Sequence, residues 1–262
     1  MLLLISFVWA YPFLWIIAAA FKTQLGVFTS GASLIPHPVE LGNFKRAWVT
    51  AGFDQFFFNT VIYSASSTFV ELAKSALCGY VLARYRFPGR DLLYKLIVLT
   101  LFVPIASIII PQFVLVQNLG LLNTRVGVIL AMSGAAGALY VLLFTSFFEG
   151  LPQDLFDAAR VDGASFVQTF LLVLPLARPI IAVLVIFQFI HSWNDFNIPL
   201  VFTLGQPSLQ NLAVGMLHFQ GTHSLDWTGF ASGMVISFLP VLIVFLLFQG
   251  YFVRALSGAI KE

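Results

Sequence analysis

The 262-residue chain carries few side chains that could do chemistry, and they gather in a handful of places. Glu149, Asp154, Asp157, Arg160 and Asp162 put five charges into the stretch 149–162, between long apolar runs. A charge at the centre of a bilayer costs roughly 2.5–3.5 kcal/mol on insertion scales, so this stretch is expected to stand in water between two membrane helices. Docking a soluble partner is the leading reason for such a polar island. Trp193, Asn194 and Asp195 combine a flat apolar ring with hydrogen-bonding groups, the pairing that sugar faces and hydroxyls require. The same residues also fit an interfacial aromatic beside the start of a loop. Glu71 and Lys74, inside an apolar run, read as a compensating pair buried against a neighbouring helix, with a solute path as the alternative.

Other chemistries are excluded or disfavoured. Cys78 is the only cysteine, so there is no disulfide framework and no multi-thiolate metal site. The histidines at 37, 191, 218 and 223 are scattered without a His-x-x-x-His pair, and His191 reads as structural. No Gly-x-x-x-x-Gly-Lys-Ser/Thr run is present, so the chain does not cradle nucleotide phosphates in a P-loop. An intramembrane hydrolase lacks both its Gly-x-Ser-x-Gly elbow and its His-Glu-x-x-His helix. The net charge of +2, without a basic run, gives no sign of nucleic acid as a partner.

The elements that position these residues follow from composition. The chain is 60% hydrophobic and 9% charged, with mean hydropathy +0.96, against about 25% charged residues in soluble domains. It is therefore expected to be an all-α polytopic membrane protein, a single domain over 1–262, with six transmembrane helices of ~20 residues each. The spans are placed at 1–21, 56–83, 92–117, 127–148, 180–198 and 228–253. The first lacks a basic leader and a cleavage site, and reads as a span rather than a signal peptide. Pro104 and Pro111 are expected to kink the third. Gly134 and Gly137 allow close packing of the fourth.

The 149–179 loop has the grammar of helix, turn, helix. Pro152 suits a first helical position and Asp154 the positive end of the helix dipole. Leu151, Leu155 and Ala159 recur every four residues on one apolar face. Gly163 marks the reversal, because glycine accepts left-handed backbone angles. Ser165 with Gln168 reads as a capping box opening a second helix, whose apolar face is Phe166, Phe170, Val173 and Leu174. Pro175 and Pro179 are expected to punctuate the approach to the fifth span.

Asp157-Ala158-Ala159, then Asp162-Gly163-Ala164 and Leu174-Pro175, resemble the EAA loop of binding-protein-dependent ABC importer permeases. One departure is Asp157, which stands where the family usually has glutamate and is one methylene shorter. Tyr80 to Arg90 (YVLARYRFPGR) resembles the first cytoplasmic loop of the maltose-type carbohydrate branch. Trp193-Asn194-Asp195-Phe196 resembles a motif at the end of that branch's fifth span. Tyr251-Phe252-Val253-Arg254 with Ser257-Gly258-Ala259 and Lys261 resembles its C-terminal signature. The resemblance implies coupling helices that dock an ATPase through Asp157, Ala158, Ala159, Asp162, Gly163 and Ala164. It also implies an ATP-binding subunit dimer, a second homologous permease, an extracytoplasmic solute-binding protein and a sugar-like or polyol-type substrate. This chain would hold no cofactor, ATP being bound by the partner, and would be no enzyme. Trp193, Asn194 and Asp195 are the candidate substrate path.

Basic residues set the orientation. The 84–95 loop, the 149–179 loop and the tail hold eight (Arg84, Arg86, Arg90, Lys95, Arg160, Arg178, Arg254 and Lys261), and the opposite loops hold four (Lys22, Lys45, Arg46 and Arg125). That excess puts the polar loop and both termini on the cytoplasmic side of a prokaryotic inner membrane, in contact with lipid. The alternative function is a secondary transporter driven by an ion gradient, with Glu71 and Asp195 as ion-coupling carboxylates. No internal repeat supports it, and it leaves the 149–179 loop without a purpose.

Overall fold

A computed structural model describes residues 2–134, 137–221 and 224–258, with side chains described to residue 250 except at 2–4, 105 and 106. Met1, His223, Ala259 and Lys261 lie outside the described residues, as do the side chains of Arg254 and Ser257. The described chain is helical, apart from one isolated β-bridge between Gln220 and Leu225.

In chain order the α-helices are α1 Leu2–Ala20, α2 Gln24–Thr29, α3 Gly42–Lys45, α4 Phe53–Arg84, α5 Arg90–Thr100, α6 Ile105–Asn118 and α7 Arg125–Met132. They continue as α8 Ala138–Glu149, α9 Gln153–Val161, α10 Phe166–Val173, α11 Arg178–Asn194, α12 Asn197–Phe202, α13 Leu212–Gly215 and α14 Trp227–Gly258. Phe166–Asn194 and Trp227–Gly250 are long and apolar enough to cross a membrane, and Ile5–Ala20, Ser107–Asn118 and Ala138–Glu149 are shorter apolar helices.

The helix boundaries correct several expectations. The third apolar run is two helices, because Pro104 caps α6 with an extended backbone (ψ 124°) and has no N–H to continue α5. The fourth divides into α7 and α8. Pro175 and Pro179 punctuate the approach to the fifth with a tighter turn rather than a break. A 3₁₀ turn, Leu174–Ala177, joins α10 to α11 and makes one apolar run of 29 residues from Phe166. Pro175 opens that turn and Pro179 lies in the first turn of α11, positions where a missing N–H costs little. The same rod ends at Asn194, short of the expected 198.

Two compact units are present: residues up to 62 with 193–244, and residues 63–192 with those from 245 onward. In the first, Ala19, Ala20, Val27 and Ala231 form a core under Trp15, Ile16 and Phe44. Asn43 donates to the carbonyls of Ala20 (3.0 Å) and Lys22 (2.8 Å), satisfying orphan groups at the end of α1. Arg46 grips Asp226 through two nitrogens at 2.8 and 3.1 Å. Burial pushes the Asp226 carboxyl up. The Arg46 hydrogen bond, the Gly229 N–H, the Arg46 charge and the Thr228 hydroxyl outweigh it and hold the pKa below its ordinary value. A depressed carboxylate adds stability above its unfolded pKa of about 3.9, and loses it as pH falls through the folded value. Asp226→Asn is thus expected to flatten the acid limb of a thermal-stability profile between pH 7 and pH 3, and an unchanged limb would remove the clamp from the account.

In the second unit the core is aromatic: Tyr80, Tyr140, Phe144, Phe148 and Phe156 with Leu72, Val173 and Leu184. Gly79 lets α4 touch α8, since a Cβ there would lie 2.6 Å from the Phe144 Cβ and 2.9 Å from the Thr145 nitrogen.

Candidate functional site

The corner at Gly163 is built from local rules. Asp154 lies in the first turn of α9, and Pro152 immediately precedes the helix. At its other end the Ala164 N–H donates to the Ala159 carbonyl (2.9 Å) and the Gly163 N–H to the Arg160 carbonyl (3.1 Å). Together these make a Schellman cap. Gly163 supplies the left-handed residue that the cap needs, at φ +72°. The next helix opens at once: the Gln168 N–H donates to Ser165 Oγ and the Ser165 N–H to Gln168 Oε1, a complete capping box. With both ends tied, the two helices have little freedom to change their angle.

The faces of α9 differ from the expected pattern. Phe156 and Ala159 are buried, and Leu155 is exposed rather than part of the inner face. Asp154, Asp157, Ala158 and Val161 point outward, and Val161 is 87% exposed. Gln153 donates to Asp157 Oδ1 at 3.1 Å, and Arg160 lies 3.8 Å from the same atom. Of the six candidate docking residues, Asp157, Ala158, Asp162 and Gly163 are exposed, Ala164 is half-buried and Ala159 packs inward. The corner thus presents Asp154, Asp157 and Asp162 to solvent beside the exposed apolar side chains of Leu155 and Val161.

Trp193, Asn194 and Asp195 separate on inspection. Trp193 is buried, its indole N–H donates to the Ser237 carbonyl at 2.9 Å, and its ring meets Phe57 edge-on. It is a packing residue rather than an open stacking platform. The Asp195 carboxylate accepts the Ile198 N–H (3.1 Å), and its carbonyl accepts the Asn211 amide (2.7 Å). Only Asn194 is exposed. It borders a largely apolar groove of about 600 Å³, with Phe13, Phe230, Met234 and Phe238 among the walls.

Glu71 and Lys74 do form a pair, with Nζ 2.8 Å from Oε2. Glu71 is fully buried and also accepts from Ser75 Oγ at 2.9 Å, while Lys74 is partly exposed and donates to the carbonyls of Ser133 and Gly134. Gly137 packs so close to Glu71 Oε1 that a Cβ would overlap it. The pair is asymmetric, and so is the expected damage. Lys74→Leu strands a buried carboxylate and should cost about 3–5 kcal/mol of stability, whereas replacing both residues with leucine should be close to neutral. Thermal unfolding in detergent separates these outcomes.

Sequence reasoning missed the seam to which Glu71 belongs. Ser64, Ser67, Thr68, Glu71 and Ser75 are all buried along one face of α4. Ser67 Oγ bonds Ser192 Oγ at 2.9 Å, and Gln188 Nε2 donates to Ser192 Oγ at 3.0 Å. The spacing of three, four and seven was visible, but apolar neighbours hid it.

Comparison with known proteins gives these features their class. The fold matches a chain from the crystal structure of a bacterial ABC transporter involved in importing the acidic polysaccharide alginate, with TM-score 0.83 and 23% identity over 96% of this chain and 93% of that one. It is the fold of an ABC importer permease. Residues 75–258 match the family described as binding-protein-dependent transport system inner membrane component, and the chain belongs to that family. It is similar to the diacetylchitobiose uptake system permease protein of Streptomyces coelicolor, 34% identical over 100% of this chain and 86% of that protein. It is also similar to the osmoprotective compounds uptake permease of Synechocystis, at 32% over 100% and 90%. The arabinooligosaccharides transport system permease of Halalkalibacterium halodurans is 33% identical over 98% and 93%. The chain is thus a membrane transport subunit of an importer and not an enzyme. The ion-gradient alternative finds no support, and its two carboxylates are engaged, Glu71 by Lys74 and Ser75 and Asp195 by Ile198.

Proposed function

We propose that this chain is one of two permeases in a prokaryotic ABC importer that brings a saccharide or polyol-type solute into the cytoplasm. Six spans would place both termini in the cytoplasm, and the α9–α10 corner would seat in a separate ATPase that binds the ATP. An extracytoplasmic binding protein would deliver the solute. The uptake named for relatives, of diacetylchitobiose and arabinooligosaccharides, supports the solute class. The excess of basic residues on the loops that share a side with the corner supports the orientation.

One observation carries the docking reading: the doubly capped turn at Gly163, holding an acidic, water-facing helix at a set angle to a 29-residue apolar rod. At about 1.5 Å per residue that rod is roughly 44 Å long, enough to cross a bilayer. Closure of the ATPase dimer pushes on α9, and the corner passes the push to the rod as a tilt. Alternating access follows, with the solute cavity open to one side at a time. Asn194 would offer the solute a hydrogen bond while Trp193 and Asp195 hold its backbone in place. Transport by the whole assembly in proteoliposomes tests the reading. Uptake should require ATP on the ATPase side, and uptake driven by an ion gradient without ATP would refute it.

A further inference from the structure

The Tyr80–Arg90 segment has no part in the reading above, yet its contacts converge on the corner. Arg84, the last residue of α4, donates to the carbonyls of Phe148 and Leu151 (2.6 Å to the latter) and to Gln153 Oε1 at 3.2 Å. Its guanidinium carbon lies 3.8 Å from the centre of the Phe156 ring. Those carbonyls stand at the C-terminal end of α8, where orphan acceptors and the negative end of the helix dipole favour a cation. Arg90 adds a second tie. Its Nε donates to the Leu82 carbonyl at 2.7 Å, inside the last turn of α4, and an Nη donates to Glu149 at 3.2 Å. One turn before Arg84, the buried Tyr80 packs against Phe148, Phe156, Phe166 and Phe170, with ring centroids 5.3–6.4 Å away.

These contacts reach the end of α8, both helices of the corner and the last turn of α4. A bond at one point leaves a hinge. Charged bonds at several points, with an aromatic cluster packed beside them, remove it, and charge-assisted bonds are about twice as strong as neutral ones. A lysine could not replace Arg84, because it lacks both the planar fork and the flat face that lies on Phe156.

We infer that Arg84 and Arg90 clasp the 149–165 corner to the end of α4, so that Arg84 is the positioning residue that delivers the ATPase stroke to the helix carrying the buried polar seam. This rests on the docking reading above. Without the clasp, α9 still seats in the ATPase but moves without carrying α4.

The test uses the whole transporter, with two readouts on Arg84→Gln and Arg84→Lys: recovery of the ATPase with the tagged chain, and ATP hydrolysed per solute imported. Arg84→Gln should keep the ATPase bound and raise the ATP cost per solute at least about fivefold, the low end of usual coupling factors. Arg84→Lys should recover only part of the loss. An unchanged ratio in Arg84→Gln overturns the clasp. If Arg84→Gln does not accumulate, Phe156→Leu keeps the position apolar and removes the flat face under the guanidinium. There a raised ratio supports the clasp, and an unchanged one overturns it. Failure of the docking reading itself looks different, because the unsubstituted chain would then purify without an ATPase.

Discussion

Gly163→Val is expected to leave the chain in the membrane and to lower ATP-driven uptake by about 5–30-fold, the penalty expected for 1–2 kcal/mol of backbone strain at this one residue. No atom lies within 4 Å of the place a Cβ would take, so the damage is not a collision. It is conformational. At φ +72° a β-branched residue is strongly disfavoured, and relaxing it breaks the Schellman bonds from Gly163 and Ala164. Gly163→Asp should act in the same direction but more weakly, because aspartate enters the left-handed region more readily. Uptake and ATPase stimulation measured together would check both variants. Full transport with normal stimulation in Gly163→Val would overturn the claim that the corner angle matters.

Val161→Asp should have a larger effect on recruitment and almost none on folding. The side chain is 87% exposed, so nothing in the chain's own core depends on it. If the outward face of α9 is buried by an ATPase, a third carboxylate beside Asp154 and Asp157 would be desolvated without a partner. That should weaken association by roughly tenfold to a hundredfold. ATPase recovery on affinity resin should fall while the melting temperature of the isolated chain stays put. Equal recovery of the ATPase would mean that this face points elsewhere.

What could be read from the sequence follows the range of the interactions. Gly163, Ser165 and Gln168 act through bonds spanning three to five residues, and both caps form where local rules place them. At Pro175 and Pro179 the punctuation is a 3₁₀ turn within one continuous apolar run. A proline signals a break only where an N–H is required, and in a first turn it is not. Phe156 rather than Leu155 packs inward because the inner face of α9 is chosen by Tyr80 and Arg84, about seventy residues away in the chain. Trp193 looked like a stacking platform by residue type, and only Phe57 and Ser237 reveal that its ring and its N–H are in use. Arg84 and Arg90 entered the sequence reading only as charges, because their bonds to the 148–153 segment are tertiary and leave no periodic trace.

The docking of α9 on a separate ATPase is the claim from which the rest follows. Affinity purification of the tagged chain from mild detergent, with the co-eluting proteins identified, tests it most directly. An ATPase carrying a P-loop should co-elute, together with a second permease of the same family. A chain that elutes alone, and moves its solute in proteoliposomes on an ion gradient without ATP, would contradict it.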